Sequence, residues 1–293
     1  MSLLLLKVPQ DVIILALNSY YKVKKLISSL FLCFICLKFY AQQANNWSRS
    51  ELGFSVGTIY YIGDLNQFRP FYETNLAGGL MYRFNYHSRL TLRFNYTYGS
   101  LDADDKDSKI IINKNRDLNF HTNIHELVGG IEFHYLPFQL GTKRYPGTAY
   151  ILAQFGAFYM NPKTNYNGQE ITLKPLGTEG QIGRDRYSNI QICIPLGLGA
   201  KFSLGKSASF SFDVAIRKTF TDYIDDVGAD YYPNTNLIPS LNGTLAGSIS
   251  NQSLDGARYG IRGNSRTSDW YVYAGAMLTF RLGKGNVCWD WKK

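Results

Sequence analysis

Apolar residues recur at every second position in eight stretches of the chain, and the positions between them are polar, small or charged. In "YVYAGAMLTFRLG", 271–283, Val272, Ala274, Ala276, Leu278, Phe280 and Leu282 share one side. Tyr271, Tyr273, Gly275, Met277, Thr279 and Arg281 share the other. Period-two alternation is the signature of a strand with two unlike faces. The cleanest case is "RLTLRFNYTYG", with Leu90, Leu92, Phe94, Tyr96 and Tyr98 set against Arg89, Thr91, Arg93, Asn95 and Thr97.

The remaining segments give further apolar sets. These are Leu52, Phe54, Val56, Tyr60 and Ile62; Leu80, Tyr82, Phe84 and Tyr86; and Leu127, Ile131, Phe133 and Tyr135. The sixth segment gives Ile190, Ile192, Ile194, Leu196, Leu198, Ala200, Phe202 and Leu204, and the seventh Phe210, Phe212, Val214 and Ile216. The fifth segment, "AYILAQFGAFYM", alternates poorly, and its facing is left open.

Connections between the segments alternate in length. Segment 2 meets segment 3 at His87-Ser88, segment 6 meets segment 7 at "GKSA", and segment 4 reaches segment 5 through "PFQLGTKRYPG". The connections after segments 1, 3, 5 and 7 are long, the last running from about Thr221 to Ser268. A soluble sandwich would bury its apolar faces against a second sheet. Short turns at one end and long loops at the other instead predict an all-β fold: an eight-stranded antiparallel transmembrane barrel, turns periplasmic and loops extracellular. Each segment also has the roughly 9 to 11 residues that a tilted strand needs to cross a bilayer.

Charge placement agrees. Glu51, Arg83, Arg89, Arg93, Glu126, Glu132, Lys201, Asp213, Arg217 and Arg281 all fall on the inward sets, and the outward sets carry no charge at their centres. Eight strands leave an interior just wide enough for side chains. The expectation is therefore a lumen plugged by a charge network of Glu51, Arg83, Arg93, Glu126, Glu132, Asp213, Arg217 and Arg281. Aromatics at strand ends are expected as interfacial girdles, with Tyr60, Tyr98, Tyr159 and Trp270 on the outer rim and Trp47, Tyr86, Tyr135 and Phe202 on the inner.

Composition changes the picture little. The 293 residues are 45% hydrophobic and 15% aromatic, with 22 tyrosines. Residues 1–41 read as a leader whose basic patch, Lys22, Lys24 and Lys25, precedes an apolar run from Leu26 to Leu37 and a cleavage position after Ala41. Residues 1–21 lie awkwardly upstream, which points to a translation start at Val23. The barrel is then expected over 42–283 and a periplasmic tail over 284–293. Removing Lys7, Lys22, Lys24, Lys25, Lys38 and Asp11 from 31 basic and 22 acidic residues leaves 26 against 21, a net +5. That balance in an exported chain argues against nucleic acid as a partner. Cys193 and Cys288 remain after the leader and are read as unpaired thiols.

Candidate chemistry is sparse. His121, His125 and Glu126 form the one grouping reminiscent of catalysis, yet His125 and Glu126 point to opposite faces of a strand. No catalytic, metal or cofactor site is expected. The acidic runs "LDADDKDSK", with Asp102, Asp104, Asp105 and Asp107, and "DYIDDVGAD", with Asp222, Asp225, Asp226 and Asp230, lack calcium-loop spacing. They read as solvated loops, with loose divalent-cation binding as the alternative. The periplasmic rim gathers Arg49, Lys143, Arg144, Lys206, Lys284, Lys292 and Lys293, with Trp289 and Trp291 in the tail "GKGNVCWDWKK". Lys143, Arg144, Lys206, Lys284, Trp289 and Trp291 are the candidate docking residues, contact with lipid headgroups being the equal alternative.

Four stretches carry a resemblance: "YYIGDLN" at 60–66, "NRDLNFHTNIHEL" at 115–127, "NPKTNYNGQEITLKPLGTEGQ" at 161–181 and "RKTFTDYIDDV" at 217–227. Together they resemble the PorG-like family of outer-membrane barrels from Bacteroidota. Tyr273, Gly275, Leu278 and Phe280 also resemble the C-terminal signal read by the barrel-assembly machinery. The family resemblance implies a non-enzymatic component of the type IX secretion and gliding machinery, anchoring a periplasmic ring lipoprotein and its soluble partner. A generic narrow barrel for small-solute transport or surface binding is the alternative.

Overall fold

A computed structural model of the chain describes residues 49–67, 69–144, 146–228, 237–256 and 262–282. Alternation becomes strand wherever the sequence shows it: β1 (Ser50–Ile62), β2 (Asn75–His87), β3 (Leu90–Asp104), β4 (Asn119–His134) and β5 (Gly147–Tyr159). The short β6 (Lys163–Tyr166) and β7 (Gln169–Thr172) follow, then β8 (Ile190–Leu204), β9 (Ala208–Thr219) and β10 (Trp270–Arg281). Among the described residues three short α-helices lie in the loops, α1 (Ile111–Arg116), α2 (Ile238–Asn242) and α3 (Thr244–Ser250).

Every ring strand pairs antiparallel with two neighbours, in the order β1, β2, β3, β4, β5, β8, β9, β10. The ring closes where β1 meets β10, with Glu51 opposite Arg281 and Ile62 opposite Trp270. This is a closed eight-stranded antiparallel barrel of the kind that spans outer membranes. Closure removes the unpaired edges that an open sheet would expose to lipid.

The outward sets form the apolar belt the pattern predicts. Phe54, Val56, Leu127, Leu198 and Phe212 are all exposed on the outer wall, while Arg83, Glu132 and Lys201 are fully buried inside. In β5 the inward residues are Tyr150, Leu152, Gln154 and Phe158, and Ile151, Phe155 and Tyr159 face out. Leu198 lies midway along β8 and is 65% exposed. Leu198→Arg is expected to cost about 2 to 4 kcal/mol of stability in a bilayer, measured by guanidinium unfolding in vesicles. The same substitution at exposed Lys206 in a turn should change nothing measurable.

Two details differ from the expectation. Arg89 does not enter the lumen: β2 ends in a bulge between Asn85 and His87, which places Arg89 in the exposed turn before β3. Also, β6 and β7 form a hairpin outside the ring, joined to β4 at His121 opposite Lys163. Its turn residues, Asn167 and Gly168, both have positive φ, 52° and 76°. Asn-Gly between two short strands is the strongest local hairpin signal, so this element was legible at 167–168.

Short connections cluster at one end and long loops at the other. At the turn end the 135–146 connection folds inward, burying Phe138 and Leu140 under the barrel mouth.

Candidate functional site

The lumen is filled from the turn end upward by three polar layers. In the first, Glu51 accepts hydrogen bonds from Ser209 at 2.8 Å, Thr279 at 2.6 Å and Asn85 at 2.6 Å, and Lys201 Nζ lies 3.3 Å from it. The Lys201 ammonium also sits 4.7 Å from the Phe138 ring centroid. In the second, Arg83 reaches Glu132 at 2.7 Å, Arg93 reaches Glu132 at 3.2 Å and Asp213 at 2.5 Å, and Tyr150 donates to Asp213 at 2.9 Å. In the third, Arg217 lies 3.2 Å from Glu126, which also accepts from Tyr271 at 2.7 Å.

Four cations, Arg83, Arg93, Lys201 and Arg217, thus face four anions, Glu51, Glu126, Glu132 and Asp213, all fully or almost fully buried. Burying a charge is tolerable only with a partner and hydrogen bonds; the inward alternation supplies the partners and most of the hydrogen bonds, with Arg83 Nη1 and Asp213 Oδ1 left without one. Lys201 belongs to this network. Arg281 stands at its edge: its guanidinium donates to the Leu140 carbonyl, and the Glu51 carboxylate on the neighbouring strand acts on its charge. It is the last paired residue of β10, opposite Glu51 at the level of the first layer.

Above these layers the packing turns apolar, with Ile59, Ala77, Leu101, Ile124, Val128 and Phe158 buried together. Cys193 is a buried free thiol here, and Cys288 lies outside the described residues.

A second polar assembly roofs the loop end, and the four stretches that carry the resemblance converge on it. From the first comes Tyr61, whose hydroxyl lies 2.7 Å from both Asp225 Oδ2 and Asp269 Oδ1 and accepts the Asp64 backbone N–H at 3.0 Å. Gly63 has no alternative here, since a Cβ would lie 1.9 Å from the Tyr61 hydroxyl. From the second comes Arg116, which grips Asp105 through Nε at 2.6 Å and Nη2 at 2.7 Å and donates to the Asp64 carbonyl at 3.1 Å. From the third come Thr178, 2.5 Å from Asp226, and Glu179, paired with Arg262. The fourth supplies Asp225 and Asp226.

The acidic runs are therefore only partly solvated: Asp107 is exposed and Asp102, Asp104 and Asp222 are half-buried. Asp105, Asp225 and Asp226 are buried, because each is the acceptor that neighbouring loops need for their hydroxyl, guanidinium or backbone donors. Burial pushes the Asp226 carboxyl up to about 6 against the pull of Arg262, and pushes Asp269 up to about 7. Asp225 is held well above the ordinary carboxylate range by burial and by the charge of Asp269. Asp230 lies outside the described residues. Among the described residues no group of three or more His, Cys, Asp or Glu is arranged to hold a metal ion.

The histidines stay apart. His125 faces outward beside Tyr98 and accepts or donates a bond with the Tyr96 hydroxyl at 2.9 Å, while Glu126 is on the inner wall with Arg217. His121 meets Glu170 of the hairpin. Of the expected girdle, Tyr98, Tyr159, Tyr86, Tyr135 and Phe202 are exposed, but Tyr60 is buried because Phe71 folds over it with ring centroids 5.4 Å apart. Trp47 lies outside the described residues.

Of the candidate docking residues, Lys143, Arg144 and Lys206 are exposed at the turn end. Their two turns are joined where Gly141 N–H donates to Ser203 Oγ at 3.0 Å. Lys284, Trp289 and Trp291 lie outside the described residues, as do Lys292 and Lys293.

A family model described as a domain of unknown function, DUF6089, matches residues 24–290. The chain belongs to the DUF6089 family. No curated protein sequence matches this DUF6089 chain significantly. Among solved structures it is similar to Ail of Yersinia pestis, with 9% identity, 80% of this chain and 99% of that one covered, and a TM-score of 0.39. Neisserial surface protein A gives 7% identity, 80% and 98% coverage and a TM-score of 0.38. The N-terminal barrel domain of Pseudomonas aeruginosa OprF gives 10%, 80% and 98%, and 0.33.

Proposed function

We propose that this DUF6089 barrel resides in the outer membrane, exported through a cleavable leader, and serves as a non-enzymatic anchor of the type IX secretion machinery. In this reading its turn end faces the periplasm and holds the ring lipoprotein and its soluble partner, and its loops face outward. The observation that carries the reading is the filled lumen. Among the described residues, paired charges, then an apolar layer, then the roof fill the barrel interior, which favours a function at the surfaces over conduction. Exposed Lys143, Arg144 and Lys206 on two joined turns offer an acidic partner a basic patch, and the PorG-like resemblance supplies the partner class.

The test is a deletion strain complemented with wild type or with a Lys143→Glu, Arg144→Glu, Lys206→Glu triple variant. Wild type is expected to restore secretion of type IX cargo, the proteins that carry a C-terminal sorting domain. The triple variant is expected to reach the outer membrane yet recover less than a tenth of the ring proteins on co-purification. Normal secretion in the deletion strain would remove the anchoring reading. Surface binding is then the second reading, favoured by apolar side chains exposed on the loops, Ile111 at 83% and Leu254 at 72%.

A further inference from the structure

At the loop-end edge of the apolar belt, two adjoining hollows open on the outer side of the barrel and differ in character. The first, of about 490 Å³, is walled by the outward side chains Ile62, Ile216 and Trp270 and overhung by Asn264, Thr267 and Ser268. The second, of about 400 Å³, is lined chiefly by polar groups, among them Tyr187, Gln191, Asp222, Tyr223 and Arg266. Thr267 and Ser268 belong to both, so the hollows share a wall.

One cation, Arg266, lines the polar hollow, and a second, Lys218, lies in sequence between Ile216 of the apolar hollow and Phe220 of the polar one. Lys218 points outward from β9 opposite Trp270, its ammonium 4.5 Å from the indole centroid; its charge acts on the Asp269 carboxyl without closing a salt bridge to it. A lysine on the outer wall just above an apolar belt lays its stem along that belt and holds its ammonium at the interface, where lipid anions lie within reach. Arg266 is exposed on the polar side. Within the apolar hollow, the Asp64 carboxylate is occupied by the Asn264 backbone N–H at 3.0 Å, and its charge is met by Arg116 and Arg262. Within the polar one, Tyr187 and Tyr223 are stacked with ring centroids 5.0 Å apart.

An apolar slot that opens toward lipid, a cationic threshold and a polar chamber rich in amide, carboxylate, hydroxyl and aromatic groups match one kind of molecule. The slot fits an acyl chain, Lys218 and Arg266 fit phosphate, and the polar chamber fits sugar hydroxyls. We infer that this rim is a binding site for an anionic, phosphorylated glycolipid of the surrounding leaflet. Its acyl chain lies along Ile216 and Trp270, and its phosphosugar headgroup sits under 264–268. The site rests on the loop-out orientation of the preceding section but not on the anchoring role.

Native mass spectrometry of the full chain, purified in detergent and incubated with a phosphorylated diglucosamine lipid A, tests this directly. A retained adduct is expected at least tenfold above that formed with phosphatidylcholine. It is expected to fall at least tenfold in the Lys218→Gln, Arg266→Gln double variant and again in Ile216→Ser. The deacylated phosphorylated disaccharide is expected not to displace the lipid at equal concentration. Heat-modifiable gel mobility reports that each variant is still a folded barrel, and the conservative Lys218→Arg should restore retention if a misfolded variant obscures the first comparison. Equal retention of phosphatidylcholine, equal retention by the double variant, or displacement by the soluble disaccharide would each overturn the site. The in vitro measurement is independent of cargo secretion, so its failure leaves the anchoring reading standing, and the reverse holds too.

Discussion

Glu132→Ala is expected to destabilise the barrel by about 3 to 5 kcal/mol, the largest single effect available in the lumen. Glu132 is the carboxylate shared by Arg83, at 2.7 Å, and Arg93, at 3.2 Å, and the His134 ring lies 3.4 Å from it. All four side chains are buried to within about 1%. Truncation leaves Arg83 without its only ion-pair partner among the described residues, while Arg93 keeps Asp213. The loss comes from stranding a buried charge, not from the intrinsic strength of the pair, since desolvation nearly cancels the Coulomb gain of an intact buried pair. Glu132→Gln keeps an acceptor for Arg83 and should cost less than the alanine variant. Guanidinium unfolding of protein folded into vesicles checks both values. A loss below about 1 kcal/mol for Glu132→Ala would mean that water enters the lumen and solvates the freed arginines.

The roof is expected to loosen as pH rises. A phenol carries one proton and two lone pairs. At Tyr61 the Asp64 N–H uses one lone pair, and the carboxyls of Asp225 and Asp269 both lie 2.7 Å from the oxygen. The hydroxyl donates to one of them, so the other must carry its own proton and donate in return. Burial raising Asp269 to about 7, and Asp225 well above the ordinary value, agrees with this. The charged neighbours are Asp64, Arg116, Glu179 and Arg262 from the loops and Lys218 from β9.

The sign follows from proton binding. In an opened roof these carboxyls titrate near 3.8, whereas the closed roof retains its proton up to about 7. Between those values the closed state binds more protons than the open one, so its stability falls as pH rises. For Asp269 the effect is on the order of 4 kcal/mol. Asp226, raised to about 6, adds to it in the same direction. The amides of Ile224 and Val227 donate to Asp269 and Asp225 at 2.9 Å and report the opening locally. Their hydrogen-exchange protection, corrected for intrinsic rate, is expected to fall at least tenfold from pH 5 to pH 8, and Asp225→Asn should flatten that dependence. Equal protection at the two pH values would exclude a shared proton at Tyr61.

Much of this architecture can be read along the chain. Leu90 to Tyr98 alternate so regularly that strand, facing and lipid contact follow together, and the same parity sends Glu132, Asp213 and Arg217 inward. Where the pattern weakened, as in β5 with its glycine and alanine run, facing could not be assigned, because small residues suit either wall. Arg89 was misplaced for a related reason: parity extends a strand until a bulge stops it, and the bulge at Asn85 and His87 leaves no mark on the period.

The aspartates show the other limit. Asp105, Asp225 and Asp226 sit in runs whose local composition is that of a solvated loop, and nothing within a few residues signals their burial. Their partners lie far along the chain: Tyr61 is 164 residues from Asp225 and 208 from Asp269, and Thr178 is 48 from Asp226. The alternation, with the loop lengths, determined the eight-stranded barrel and, Arg89 apart, which charges face inward, because lipid and lumen act on each residue through the one backbone period that all strands share. Which of those charges pair, where Arg281 points and how four distant stretches close the roof were decided only by tertiary structure. Barrel closure sets cross-strand register and loop meeting points, and those distances are absent from any local pattern.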